Sequence, residues 1–206
     1  HGDGFLVVYD EQVERYDSDG SLDTTFGIGG VVSFSAPGPR VVVTPDGGFV
    51  VASRPAAGLR FERYDAAGRL HLGFGARGVV DVPGPAGFAS YVRAVALAPD
   101  GGFVAIVNLG LSAADAFRFS GVVVDGGRIL TWGTHIPVTG AGTGFVAAYT
   151  MTGALDTSFG DAGIADLGDG VYPEVGALDV EAGRLVLGCR RSVGGVRMTA
   201  VARIWL

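Results

Sequence analysis

The sequence has no lysine, a single cysteine and no long apolar run. Its 15 basic residues are all arginine, against 21 acidic residues, for a formal net charge of -6. The arginines are scattered, and only Arg190 and Arg191 are adjacent. A stripe able to neutralise successive phosphates is therefore missing, and nucleic acid is not an expected partner. The lone Cys189, in the apolar run LVLGC, excludes an intramolecular disulfide and reads as a buried structural thiol. No apolar run approaches the roughly 20 residues of a membrane-crossing helix, and no basic segment followed by an apolar stretch marks a leader. Membrane insertion is not expected. The chain begins at His1, as a processed or excised chain would. Charged residues make up only 17% of the sequence and hydrophobic ones 48%, a balance that folds rather than staying disordered.

Glycine is abundant, at 36 of 206 residues, and it falls at turn-like points between short apolar runs, which predicts an all-β chain. The glycines belong to an internal repeat. Counted from Tyr16, Tyr64 and Tyr149, leucine follows at +6 (Leu22, Leu70, Leu155) and phenylalanine at +10 (Phe26, Phe74, Phe159). Glycine then follows at +11 (Gly27, Gly75, Gly160) and at +14 (Gly30, Gly78, Gly163). A strand-like run precedes each tyrosine (VERY, FERY, VAAY), and the run VARI puts Ile204 in the same slot. Between these anchors lie hairpin signals, β-branched runs flanking Asp-Gly or Ala-Gly: VVVTPDGGFVVAS, AVALAPDGGFVAIV, GVVVDGGRILTWG and ALDVEAGRLVLG. The opening DGFLVVY is a further copy lacking its first strand. Each full unit supplies about four strands over roughly 48 to 57 residues, a period of propeller blades or β-solenoids.

The stretch RYDSDGSLDTTFGIGGVV followed by PDGGFVVAS resembles the delta-60 repeat, a bacterial repeat of RY-x-x-DGSLD-x-x-FG-x-x-G type, and the likeness runs through nearly the whole chain. The resemblance implies a β-propeller-like array of four-stranded antiparallel blades, and it implies export or display on the surface of a bacterium. Cutting at the hairpin turns divides a single domain, 1–206, into units 3–45, 46–99, 100–124, 125–180 and 181–206, the last a half unit. The 100–124 unit is truncated, because FRFSGVVVD passes from an RY-like strand straight into the next hairpin. About 16 strands in about four or five blades result. Such an array either closes, with the C-terminal strands protecting the N-terminal edge, or forms an incomplete ring whose open edges favour self-association.

The repeated Tyr, Leu, Phe and Gly read as packing and turn residues, so Phe26, Phe74 and Phe159 are expected in equivalent buried positions. Gly27-Ile28-Gly29-Gly30 does not read as a phosphate loop, since strand-like VVSF follows where a helix N-terminus is needed and Gly29 becomes Arg77 and Ala162 in the other copies. Asp17, Asp19 and Asp23 superficially resemble a calcium loop, but their equivalents are Asp65, Ala67 and His71, then Thr150, Thr152 and Asp156, so no metal site is expected. Of three histidines, His1 is terminal, His71 replaces a turn aspartate and only His135 is unassigned. No nucleophile elbow or metal-ligand spacing accompanies it, and neither catalytic residues nor cofactors are expected. The side chains least explained by the repeat are Trp132 and His135, joined by Arg190 and Arg191. The candidate ligand site is this set, an exposed aromatic beside planar donors able to stack on a sugar ring; the alternative is a Trp132 that fills the hole left by two lost strands. The expected function is a non-enzymatic scaffold contacting protein or glycan. The alternatives are a lyase- or glycosidase-type enzyme with an axial site, and a self-associating structural subunit.

Overall fold

A computed structural model of the chain describes residues 4–34, 38–55, 58–83, 90–109, 116–179 and 183–205. Among them are sixteen strands and no helix. The chain divides into two compact units, His1–Val92 and Arg93–Leu206.

In the first unit, β1 (Phe5–Val8), β2 (Gln12–Tyr16) and β3 (Val31–Ser33) form one antiparallel sheet. β4 (Arg40–Val43), β5 (Phe49–Ser53), β6 (Leu59–Tyr64) and β7 (Val79–Val82) form a second. β8 (Ser90–Leu97), which begins three residues before the second unit, pairs with β9 (Phe103–Leu109). A four-stranded sheet follows, of β10 (Ala116–Asp125), β11 (Arg128–Ile136), β12 (Thr143–Thr150) and β13 (Ile164–Asp169). The last sheet contains β14 (Val171–Asp179), β15 (Arg184–Val193) and β16 (Val196–Trp205). Each sheet is a meander, as the hairpin signals require. The sheets run out of phase with units cut at the hairpin turns, because the Asp46-Gly47 turn joins β4 and β5 inside one sheet.

The register verifies the repeat. Phe5 pairs with Tyr16, Phe49 with Tyr64, Ile129 with Tyr149 and Leu185 with Ile204, so Ile204 does hold the tyrosine slot. After each tyrosine the chain bridges back to the +6 leucine, at Leu22, Leu70 and Leu155. The amide of the +10 phenylalanine donates to the +7 carbonyl at 3.1, 3.0 and 3.1 Å, and the +14 glycine amide donates to the phenylalanine carbonyl at 2.8, 2.6 and 2.7 Å. A Cβ on Gly30, Gly78 or Gly163 would fall less than 3.0 Å from Leu22, Leu70 or Leu155, and φ there is 98°, 95° and 98°. The repeated leucine and the repeated glycine are thus two halves of one contact. At +11, a Cβ would fall less than 3.0 Å from the carbonyl oxygen of Val31, Val79 or Ile164, so the backbone itself excludes a side chain. The +13 position is also left-handed: Gly29 sits at φ 63°, but Arg77 at 58° and Ala162 at 48° carry a Cβ in that conformation.

Within each unit, sheets stack face to face. In the first unit Val13, Phe26 and Val32 on one sheet pack against Phe49, Val51 and Tyr64 on the next, with the Phe26 and Phe49 ring centroids 5.8 Å apart. The Gly27 amide crosses to the Ala67 carbonyl at 2.9 Å, and Gly68 is pressed by Phe26, Gly27 and Val32, leaving no room for a side chain. Arg15 completes the junction. Its guanidinium lies 4.7 Å from the centroid of the Phe26 ring, donates to the Ala66 carbonyl of the next sheet and pairs with Asp23 at 2.5 Å. Burial pushes the Tyr64 hydroxyl up to about 12. In the second unit Leu130, Trp132, Val146 and Phe159 pack against Leu185, Leu187 and Cys189 in the same manner.

Two of the three repeated phenylalanines are as buried as expected, Phe26 at 1% and Phe159 at 6% exposure, whereas Phe74 is only half-buried. Phe74 follows the β6 strand as Phe26 follows β2, with the same loop hydrogen bonds but less burial.

These contacts rank three substitutions. Gly163→Ala combines strained φ with a clash against Leu155 and is expected to cost about 2–4 kcal/mol. Gly153→Ala, at φ 85° with nothing within 4 Å, carries the strain alone and is expected to cost about 1 kcal/mol. Ala162→Gly is expected to gain about 0.5 kcal/mol, relief of left-handed strain exceeding the added unfolded-state entropy. Denaturant midpoints measure all three, and equal losses for the two glycine variants would refute the leucine contact.

Candidate interaction surface

The sheet β10–β13 carries the region that the repeat explains least. β10 is one continuous strand of ten residues with an irregularity between Phe119 and Gly121. The RY-like segment FRF is therefore no strand of its own; it is the first part of β10. The truncated 100–124 unit supplies β9 and most of β10, which belong to different sheets.

Trp132 and His135 lie three residues apart on β11, and side chains alternate along a strand, so they point to opposite faces. Trp132 is 4% exposed and belongs to the core shared with Leu185, Leu187 and Cys189. Its six-membered ring occupies space where Gly121, its register partner, and Gly176 of β14 lack a Cβ; a Cβ on either would lie less than 3.0 Å from the indole. Its Nε1 has no hydrogen-bond partner among the described residues. Trp132 cannot offer its ring to a sugar, which corrects its place in the candidate ligand site. The hole that it fills is made by two glycines rather than by two lost strands.

His135 is on the other face, stacked on Phe117 with centroids 4.5 Å apart and planes 19° apart. Phe117 is its register partner and is 54% exposed. Both Phe117 and Phe119 meet the buried Phe145 edge-on, each with centroids 5.5 Å apart. An exposed Phe117 ring and a partly buried His135 ring thus stand on a buried aromatic base, so their geometry is fixed before any partner arrives.

Arg190 and Arg191 are adjacent on β15 and so leave opposite faces of its sheet. Arg190 lies 5.6 Å from the centroid of the Tyr172 ring and pairs with Glu174 at 3.3 Å. Arg191 is exposed, in register with Val171 and Met198. The four residues do not assemble into one patch, because strand alternation divides each pair. Phe117, in the RY-like segment FRF, is an exposed aromatic that the sequence reading did not group with His135. Counting outward from the Asp125-Gly126 turn would set Arg118 opposite His135; the irregularity between Phe119 and Gly121 shifts the register by one residue and brings Phe117 there instead, so turn counting alone does not find the pair.

A shallow pocket of about 150 Å³ lies at the same hairpin, lined by Asp125, Gly126, Arg128, Leu130 and Gly183. Beside it, Arg128 is 3.7 Å from Asp156. The Ser158 hydroxyl and amide, and then Arg128, hold the Asp156 carboxyl below its ordinary range, the reverse of the raised value that a general acid needs. The acidic turn of the first repeat is likewise employed locally. Asp19 accepts from the Ser21 amide and hydroxyl at 2.9 and 2.6 Å. Asp23 does the same with Thr25 while pairing with Arg15, and these donors, Thr25 foremost, hold it below the usual carboxylate range. Cys189 is 3% exposed, and burial pushes its thiol up, as for a structural cysteine.

No family model and no curated protein matches the chain. Among solved structures, the WD40 domain of coronin from Toxoplasma gondii matches with a TM-score of 0.57 and 10% identity, over 95% of this chain and 54% of that one. The chain thus spans about half the length of the coronin structure. With the all-strand architecture, this likeness identifies the fold as a β-propeller-like array of antiparallel blades.

The packing of Trp132 makes a prediction. Trp132→Ala leaves a cavity between two sheets and is expected to cost about 3–5 kcal/mol. Trp132→Phe removes an unpartnered N–H together with ring volume and is expected to cost clearly less, about 1–2 kcal/mol. Thermal melts of the two variants measure the difference, and an undiminished melting temperature for Trp132→Ala would remove the residue from the core.

Proposed function

We propose that the chain is a non-enzymatic scaffold of an exported or surface-displayed bacterial protein, and that it contacts a partner protein through the aromatic surface of Phe117 and His135. The observation that carries this reading is the half-exposed Phe117, stacked on His135 and seated on Phe145. Exposed, pre-positioned aromatics are the side chains that dominate protein interfaces, because they bury much area at little entropic cost. The export assignment rests on the resemblance to the delta-60 repeat. Glycan is the second class of ligand, since a flat ring pair also suits a sugar face; the lyase or glycosidase alternative would need an axial site that no residue described above supplies.

The test is affinity capture from the native bacterial envelope fraction with wild type and Phe117→Ala, followed by titration of the captured partner. Phe117→Ala is expected to cost about 2 kcal/mol, roughly a 30-fold loss of affinity. A partner bound equally by both would sink the assignment of this surface. Binding confined to a glycan array, or turnover of a polysaccharide, would replace the protein reading with one of its alternatives.

A further inference from the structure

The stacking of β1–β3 on β4–β7 supplies a template for two faces that remain open. In the template the receiving face presents Phe49 stacked on Tyr64, with centroids 4.9 Å apart and planes 8° apart. Phe49 is 0% and Tyr64 7% exposed there, because the preceding sheet brings Val13 and Phe26 against them. The first sheet carries the same pair in the same register: Phe5 on Tyr16, with centroids 5.5 Å apart and planes 10° apart. Here Phe5 is 50% exposed. Gly68, at the rim of the template, is pressed by Phe26 and Val32, whereas its equivalent Gly20 has nothing within 4 Å. The first sheet therefore has a receiving face with the right residues, and among the described residues Phe5 on it is half exposed.

The last sheet has the converse. Its receiving face is occupied, with Leu185 and Leu187 at 0% exposure and Ile204 packed beside them. On its opposite face Val201 and Arg203 precede the tyrosine-slot residue Ile204 by three and one, as Val13 and Arg15 precede Tyr16. Val13 is 0% exposed against the next sheet, and Val201 is 64% exposed. Arg197, Thr199, Val201 and Arg203 alternate on this face, and Arg197 and Arg203 give it a basic character; Arg190, the register partner of Thr199, is paired with Glu174. The open receiving face carries Glu14, bonded to the Tyr16 hydroxyl at 2.6 Å. The two faces thus match in shape by internal precedent and in charge by sign.

From this pairing we infer that a second copy of this chain docks head to tail: the Val201 and Arg203 face of β14–β16 in one copy covers the Phe5 and Tyr16 face of β1–β3 in the other. Arg203 then takes the role of Arg15, and the template places its guanidinium on the carbonyl of Ser18, the equivalent of Ala66. The occupant is a second copy because the covering face has a defined composition, and this chain bears it. Such an interface is heterologous, using two different surfaces, so it leads to a ring or to a growing chain of copies. It is independent of the Phe117 surface and stands or falls separately.

The experiment is sedimentation velocity of the full chain over a wide concentration range, with Phe5→Glu and Val201→Glu. Both side chains are at least half exposed, so the variants are expected to keep the wild-type circular dichroism and melting temperature. Wild type is expected to reach at least twice the monomer mass, and each variant alone to fall back at least tenfold in association. Mixing the two variants leaves one intact head and one intact tail, and a dimer is expected to return. A wild type that is monomeric at every concentration overturns the inference. So does a wild type whose assembly survives both substitutions, and so does a mixture that fails to recover, since symmetric edge pairing would give that result.

Discussion

In each of the three repeats a leucine side chain lies where a glycine has no Cβ. Leu22 against Gly30, Leu70 against Gly78 and Leu155 against Gly163 pull the loop after the tyrosine strand into one shape, and that shape carries the phenylalanine to the face of the sheet. Without the leucine, the left-handed glycine would have no reason to hold its φ near 95–98°. Without the glycine, the leucine could not approach. Sheet stacking depends on this small contact, because Phe26 and Phe159 reach the neighbouring sheet only from a loop so folded.

Much of this was legible in the sequence, because the physics that fixes it is local or periodic. The offsets of Leu, Phe and Gly are the offsets of hydrogen bonds that close within one loop, so they survive as a pattern. Even Ile204 could be assigned its slot, since the run VARI matches the strand-like runs VERY, FERY and VAAY that end in the repeated tyrosines. Phe74 shows where that reasoning stops: its loop hydrogen bonds equal those of Phe26, yet it is less buried, a difference that no offset encodes.

The candidate site failed for a related reason. Trp132 was conspicuous as an unrepeated aromatic, and its neighbours in sequence gave no hint that Gly121 and Gly176 make a slot for it. His135 was grouped with Trp132, which its strand turns away from it. A strand sends alternate residues to opposite faces, and sequence proximity in TWGTH concealed that Trp132 and His135 diverge. The aromatic that does accompany His135 is Phe117, on the far side of a hairpin, in a segment whose similarity to RY strands disguised it. Arg190 had a similar fate, since its closest partners, Glu174 and Tyr172, come from the strand before it.

The slot around Trp132 also constrains how this chain can change. Gly121 and Gly176 sit on different strands of different sheets, and neither can acquire a side chain while the indole is present. Nor can the indole shrink without opening a void between the sheets. Each single step away from this trio costs stability, so a viable route must alter two distant positions almost together. Three residues that no motif would group therefore behave, over the history of the sequence, as one inherited character.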